Sequence, residues 1–92
     1  MKQVLYTVSA NRPLTADVWE MALSGDTSAI TAPGQFINIK LEGLYLRRPI
    51  SVCRWDETGL TILYKVVGRG TEAMTRLTPG AVLDTLSGLG NG

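Results

Sequence analysis

The sequence has no histidine and only one cysteine, Cys53, among its 92 residues. Without histidine, the chain lacks the usual general base, the serine–histidine arrangement of hydrolases and the commonest ligand of transition metals. A single cysteine cannot form an internal disulfide or supply a cysteine-based metal site by itself. Any chemistry would therefore have to be carried by a bound cofactor. The absence of disulfides is typical of a reducing compartment, and we expect a cytoplasmic location.

Strong net charge and long apolar runs are also absent. Nine basic and eight acidic residues give a net charge of +1, which provides no bulk attraction for nucleic acid or anionic membranes. No apolar run approaches the roughly 18 residues of a membrane span, and residues 1–7 lack the features of a signal peptide. With 45% hydrophobic and 18% charged residues, the composition predicts one globular domain over residues 1–92.

Six segments of the sequence show the alternation of apolar and polar residues that is typical of β-strands. They cover residues 2–9, 17–23, 36–41, 50–55, 60–67 and 81–86. A helix competes for 17–23 because Glu, Met, Ala and Leu favour helices, but Ser24-Gly25-Asp26 would interrupt it. The predicted fold is all-β, a six-stranded antiparallel barrel whose closure removes exposed sheet edges.

The segments between these strands predict turns and one short helix. Asn11-Arg12-Pro13, Pro33-Gly34 and Asp56–Gly59 are predicted turns, the last of them a hairpin loop. Residues 71–77 predict a short helix with Thr71 as its N-cap. Residues 87–92 are predicted to be a flexible tail that resembles a cut linker.

Arg48-Pro49-Ile50-Ser51 is the first stretch that could form a binding site. Arg48 offers a planar fork of donors that matches a phosphate. Pro49, expected at the start of its strand, and Ile50 would form a stiff apolar wall beside the Ser51 hydroxyl. The alternative is a solvated pair, Arg47 and Arg48, on an edge strand with Ser51 at an ordinary outward position.

Gly68-Arg69-Gly70-Thr71 is the second such stretch, and it stands directly before the predicted helix. The glycines would let the backbone approach a ligand, and the start of a helix presents N–H groups to a phosphate. The alternative is a strand-to-helix turn that needs glycine only for its geometry.

The remaining polar and aromatic candidates each have a structural alternative. Tyr64 could stack on a flat ring and Lys65 could neutralise a phosphate, but alternation predicts Tyr64 in the core with Lys65 facing outward. Cys53 is expected to be a small buried residue. Trp19 and Trp55 are expected to belong to the core or to cover it.

Four motifs occur in an order that resembles a known family. Their sequences are Ala32-Pro33-Gly34-Gln35-Phe36, Leu46-Arg47-Arg48-Pro49-Ile50-Ser51, Tyr64-Lys65-Val66-Val67-Gly68-Arg69-Gly70-Thr71 and Leu89-Gly90-Asn91-Gly92. The set resembles the FAD-binding domain of the ferredoxin–NADP reductase superfamily, in particular the electron-transfer subunits of class B dihydroorotate dehydrogenases. The resemblance implies a Greek-key antiparallel barrel with FAD as its cofactor.

The resemblance also implies roles for individual residues. Arg48 would contact the FAD pyrophosphate, and Ser51 would lie against the edge of the isoalloxazine ring. Many superfamily members have tyrosine where this chain has Ile50. Further along the chain, the residues implied in binding are Leu63, Tyr64 and Lys65 at the ribityl and phosphate region, and Gly70 and Thr71 at the pyrophosphate.

Members of the family also have an NAD-binding domain and, in the dihydroorotate-type subunits, a [2Fe–2S] cluster held by four cysteines. Neither fits in these 92 residues, so we expect this chain to be the first domain of a longer protein whose partner is the catalytic dihydroorotate dehydrogenase subunit. The alternatives are an empty barrel that self-associates, or the flavin domain of a related reductase such as a sulfide dehydrogenase or hydrogenase subunit. A nucleic-acid-binding barrel is disfavoured by the charge.

Overall fold

The computed structural model describes residues 2–32, 34–40 and 48–90, and for Arg48 it describes the backbone alone. Within these ranges the chain forms a closed antiparallel barrel of six strands with one short helix. The elements are β1 (Lys2–Pro13), β2 (Val18–Ser24), β3 (Phe36–Ile39), β4 (Arg48–Trp55), β5 (Gly59–Lys65), α1 (Arg69–Met74) and β6 (Val82–Leu89). The predicted fold class is confirmed.

The strands follow the order β1-β2-β5-β4-β3-β6 around the barrel. β3, β4 and β5 are neighbours in sequence order, and β6 then returns to pair with β3 on its other side. Three consecutive strands followed by a fourth that returns beside the first is the Greek-key arrangement. Pairing of β1 with both β2 and β6 closes the barrel.

The core is built from the inward-facing residues that the alternation predicts. They are Val4, Tyr6, Val8, Met21, Leu23, Ile37, Ile39, Val52, Leu60, Ile62, Tyr64 and Leu83, with Met74 contributed by α1. Trp19 and Trp55 are half-buried and pack against this core, as expected. Because burial of apolar side chains is the main favourable term in folding, these positions hold the barrel together.

The predicted turn at Asn11-Arg12-Pro13 is wrong, because β1 continues through Pro13. The chain reverses after it, where Leu14 N–H donates to the Val18 carbonyl at 2.8 Å. A register shift after Val8 keeps β1 paired with β2 up to its last residue. Proline is tolerated there because it stands at the strand end.

The predicted flexible tail is also wrong over residues 87–89, which are part of β6. Ser87 is fully buried, and its hydroxyl lies 2.9 Å from the hydroxyl of Tyr6. The pairing of Leu89 with Phe36 extends the β3–β6 ladder to the end of β6. Asn91 and Gly92 lie outside the described residues.

Two of the predicted turns adjoin strands: Asp56–Gly59 follows β4, and Pro33-Gly34 precedes β3. The Asp56–Gly59 hairpin loop is confirmed, with Asp56 Oδ1 accepting from the N–H groups of Thr58 (2.8 Å) and Gly59 (3.1 Å). The hydrogen bonds from Thr58 lower the pKa of the Asp56 carboxyl. Gly34 has the positive φ of +86° that the predicted type II turn requires. Pro33 and Leu41 lie outside the described residues.

Cys53 is exposed, so the prediction of a buried cysteine is wrong. β4 and β5 change register between Val52 and Arg54. In a β-bulge, two residues of one strand lie opposite one residue of the partner strand, and the alternation of side chains is disturbed at that point. The sequence contains no local signal for that bulge, because it arises from pairing with a distant strand.

Candidate functional site

β4 changes its partner strand along its length. Its first half pairs with β3, from Ile39↔Arg48 to Phe36↔Ser51. Its second half pairs with β5, from Val52↔Ile62 to Trp55↔Leu60. The strand therefore bends across the barrel wall. The predicted start of the strand at Ile50 is two residues late, and Pro49 is its second residue.

Beyond the pair Val52↔Ile62, no further ladder pair joins β4 to β5 in the described part of the chain. β4 nevertheless extends back to Arg48, and β5 extends forward to Lys65. The residues 48–51 and 63–65 thus flank the part of the described barrel wall where β4 and β5 have no ladder pair, which we call the β4–β5 opening. Candidate residues that are distant in the sequence, at 48–51 and 63–65, therefore lie on its two sides.

Main-chain groups on both sides point into the β4–β5 opening. The Val52 N–H donates to the Gln35 carbonyl on the β3 side at 2.9 Å, and the Val66 N–H donates to the Asp17 carbonyl on the β2 side at 2.7 Å. Backbone groups of successive residues alternate between the two edges of a strand. The N–H groups of Ser51 and Lys65 therefore face the opening, where they can donate to a polar ligand.

The side chains around the opening are apolar and accessible, a combination that suits a flat ligand. Ile50 is half-buried and Pro49 is exposed, while Leu63 is 41% and Val67 75% exposed. The Ser51 hydroxyl is exposed at the same place. The side chain of Arg48 and the whole of Arg47 lie outside the described residues.

Tyr64 belongs to the core, as its alternative interpretation predicts. It is 3% exposed, its ring lies 6.5 Å from that of Trp19, and its hydroxyl donates to Asn11 Oδ1 at 2.8 Å. Lys65 faces outward and lies 3.8 Å from the carboxylate of Asp17. Strand alternation therefore leaves Tyr64 only its backbone for contact with a ligand.

The buried Tyr64 phenol should ionise late in an alkaline titration. Removal from water raises its pKa from 10.0 to about 12, against a smaller lowering by the hydrogen bond to Asn11. Because the folded protein holds this proton more tightly, the associated stability is complete below pH 10 and is lost as the pH rises towards about 12. Near-ultraviolet absorbance should show a late tyrosine transition that loses amplitude in Tyr64→Phe, and the part that remains belongs to Tyr6, whose pKa is also raised by burial. A late transition of unchanged amplitude in that variant would contradict the assignment.

The glycine stretch forms the entry to α1, but its cap differs from the prediction. Gly68 is the N-cap, and Thr71 is the third helical residue. Thr71 Oγ1 accepts from the N–H groups of Val67 (2.9 Å) and Gly68 (3.2 Å), and it lies 3.2 Å from the Gly68 carbonyl oxygen, to which it donates. The prediction of Thr71 as N-cap is wrong, because the helix begins two residues earlier. Its hydroxyl closes the turn, which leaves its backbone for a ligand.

Asn11 connects this helix to β5, and the sequence analysis had not singled it out. Its Nδ2 donates to the carbonyls of Met74 (2.8 Å) and Leu77 (3.0 Å), while its Oδ1 accepts from Tyr64. The only sequence signal was asparagine itself, whose amide offers both donors and an acceptor. It had been interpreted as a turn residue.

A cavity of about 250 Å³ lies at the other end of β4, around Arg54, Trp55 and the hairpin loop. It contains none of the predicted site residues. Its lining residues include one of each charge, Arg54 and Asp56, which gives no preference for an anionic or a cationic ligand. The β4–β5 opening is therefore the candidate site.

Metal binding has no support within the described residues. They contain no group of three or more histidine, cysteine or acidic side chains that could hold an ion. A [2Fe–2S] cluster does not fit this chain, because it needs four ligands and Cys53 is the single cysteine. No helix in the described ranges has the length and apolar character needed to cross a membrane.

Alignments with known proteins cover the whole chain or nearly all of it. No protein-family model matches it. It is 38% identical over 98 aligned positions to the dihydroorotate dehydrogenase B (NAD(+)) electron transfer subunit of Geobacillus sp. (strain WCH70), and the match covers 100% of this chain and 38% of the relative. The same subunit of Enterococcus faecalis (strain ATCC 700802 / V583) is 38% identical over 96 positions, with 99% and 36% covered. The chain thus spans little more than a third of these relatives.

Solved structures with the same fold include a ferredoxin reductase and a siderophore-interacting protein. The ferredoxin reductase of a carbazole 1,9a-dioxygenase superposes with a TM-score of 0.85 at 27% identity, covering 97% of this chain and 30% of that one. A siderophore-interacting protein from Acinetobacter baumannii gives a TM-score of 0.79 at 14% identity, with 95% and 40% covered, which supports the fold alone. The chain has the ferredoxin reductase-like β-barrel fold and is similar over its whole length to part of the electron-transfer subunits of dihydroorotate dehydrogenase B.

Proposed function

We propose that this chain binds FAD at the β4–β5 opening and acts as the flavin-binding barrel of an electron-transfer oxidoreductase. The observation that carries the proposal is the end of the β4–β5 ladder at Val52↔Ile62. Residues 48–51 and 63–65, which pair with β3 and β2 but not with each other, stand on either side of this opening. Main-chain donors and accessible apolar side chains occur together there, as a flat ring with polar edges requires.

The residues beside the opening suit the flavin ring. Pro49, Ile50 and Leu63 offer accessible apolar surface, and the exposed Ser51 hydroxyl and its N–H would donate to a polar edge of the ring. When bound, FAD would supply the redox chemistry that no side chain of this chain provides. The chain's own part is to bind the ring, orient it and shield one side of it from water.

The diphosphate of FAD would lie towards Arg48 on one side and Gly70 and Thr71 on the other. Both Gly70 and Thr71 are buried, so their contacts with a ligand would be made by the backbone. Arg48 would provide the countercharge. Lys65, already near Asp17, would act as a secondary charge close to the phosphates.

The wider role of the protein follows from its relatives, which are electron transfer subunits of an NAD(+)-dependent dihydroorotate dehydrogenase. We extend the proposal to an NAD(H)-linked electron path that ends at a catalytic dihydroorotate dehydrogenase subunit in pyrimidine biosynthesis. In the full protein, NAD and any [2Fe–2S] cluster would be held by residues outside these 92, as in the domain order that the family implies.

Titration of the 92-residue chain with FAD tests the proposal. We expect saturable one-to-one binding in the micromolar range, followed by flavin fluorescence and by calorimetry. The absence of binding at these concentrations would overturn it. Size-exclusion chromatography with light scattering on the same sample tests the competing hypothesis of an empty barrel that self-associates: a dimer that binds no FAD would favour that hypothesis.

A further inference from the structure

We infer that Asn11 is a positioning residue for the flavin site, which it serves by clamping both ends of one chain segment. The inference rests on the proposed function. Every candidate contact in the second half of the site lies at or next to the segment 64–77. Asn11 is the side chain that joins the two ends of that segment, through the bonds to Tyr64 at one end and to Met74 and Leu77 at the other.

The start of the segment needs such support because β5 lacks one of its partner strands there. Beyond Ile62 it keeps its pairing with β2, from Glu20↔Leu63 to Val18↔Lys65, but it has no ladder pair with β4 in the described ranges. The bond from the Tyr64 hydroxyl to Asn11 Oδ1, 2.8 Å long, ties this end of β5 to β1 from inside the barrel.

The end of the segment needs support for a different reason. α1 has only six residues, Arg69–Met74, and helices of that length are not stable by themselves. The fully buried Met74 side chain holds it in the core. After the helix, the chain turns at 75–77, where the Met74 carbonyl accepts from the Leu77 N–H at 3.2 Å. The Asn11 amide donates to the carbonyls of both Met74 and Leu77.

Asn11 is itself held rigidly. It stands in β1 opposite Met21 of β2, and it is half-buried. Both of its amide atoms are bonded to protein groups, Oδ1 to Tyr64 and Nδ2 to the carbonyls of Met74 and Leu77, so we assign it no contact with the ligand. Its effect is to hold Tyr64, and with it the backbone of Leu63 and Lys65, at a fixed distance from α1.

The consequence is a dependence of FAD affinity on a residue behind the site. A ligand that requires the segment in one position binds more weakly in proportion to the time the segment spends elsewhere. If, without the clamp, the segment 64–77 is in its binding-competent position about one tenth of the time, the dissociation constant for FAD rises about tenfold. Riboflavin lacks the phosphates and would depend less on α1, so its affinity should change by less than about twofold by the same relation.

Three variants separate the clamp from general stability. Asn11→Asp keeps the shape of the side chain and the acceptor for Tyr64 but loses the amide that donates to Met74 and Leu77. Tyr64→Phe removes the hydroxyl that donates to Asn11. Tyr6→Phe is the matched control, since Tyr6 is also a fully buried tyrosine, with a hydroxyl that donates to the Asp26 carbonyl at 2.7 Å, outside the clamp. All measurements are made at a temperature at which circular dichroism shows each variant to be fully folded.

The expected result is an increase of about tenfold in the FAD dissociation constant for both clamp variants, with the Tyr6→Phe control near the unaltered protein. Riboflavin binding should stay near that of the unaltered protein in Asn11→Asp, which keeps the acceptor for Tyr64. Hydrogen exchange without ligand should be faster for the amides of α1 in Asn11→Asp and unchanged in β1 and β6. Unaltered FAD affinity in Asn11→Asp, or equal losses for FAD and riboflavin in that variant, would overturn the inference alone. Failure of the unaltered chain to bind FAD would overturn the proposed function and the inference with it.

Discussion

Replacing Gly88 with alanine is expected to lower the free energy of unfolding by about 3 kcal/mol, the largest stability effect we predict. Gly88 has φ of +78°, and a Cβ there would lie 2.3 Å from the carbonyl oxygen of Ala29. The positive φ alone costs roughly 1–2 kcal/mol for an L-residue. The overlap with backbone adds to it because neither partner is a flexible side chain that could move away.

Gly80→Ala is the control for this experiment. Gly80 also has a positive φ, +97°, but a Cβ there would meet nothing within 4 Å. The free energy of unfolding of Gly80→Ala should therefore fall by only about 1–2 kcal/mol, which is the cost of the backbone strain. Urea denaturation of both variants measures the difference. Equal losses would show that the approach of residues 87–89 to the loop at Ala29 is not as close as described.

Replacing Arg48 with alanine is expected to give the largest effect on cofactor binding. A hydrogen bond to a charged group contributes about 2 kcal/mol, which corresponds to a roughly thirtyfold increase in the FAD dissociation constant. The FAD dissociation constant of Arg48→Lys should lie between those of the unaltered protein and Arg48→Ala, because lysine keeps the charge but loses the planar fork of donors. Calorimetric titration with FAD measures all three proteins.

Arg54→Ala is the matched control for Arg48→Ala, because Arg54 lies on the same strand at the other end. Its guanidinium is 3.7 Å from Glu20, away from the opening. We expect its FAD affinity to stay within about twofold of the unaltered protein, since it loses an exposed ion pair of small energy. If Arg54→Ala weakens FAD binding as much as Arg48→Ala, general electrostatics rather than a specific contact would explain both.

The inward-facing side chains could be read from the sequence with little error. Ile37 and Ile39, or Leu60 and Ile62, alternate with polar neighbours and are buried as predicted. The hairpin loop after β4 was equally legible, because Asp56 and Gly59 have the chemistry of a tight turn. These features depend on residues that are close in sequence, so the local pattern contains the information.

The boundaries were less well predicted, since partner strands decide where a strand stops. β1 runs through Asn11 to Pro13 because β2 offers it partners that far. Ser87 and Leu89 read as a polar, glycine-rich tail, but Ser87 meets Tyr6 in the core and Leu89 pairs with Phe36. In each case a contact distant in sequence overrides the local preference of the residues.

The candidate site, too, was predictable from the sequence only in part. The sequence by itself determined the order of the motifs, hence the resemblance to a reductase superfamily, and it indicated 48–51 and 68–71 as possible binding stretches. Only the tertiary structure decided that β4 leaves β5 at Val52, that Cys53 faces solvent, and that Asn11 joins Tyr64 to the end of α1. The physical reason is that alternation along a strand is a local property, whereas closing a barrel fixes which strands meet, where they separate and which side chains link them.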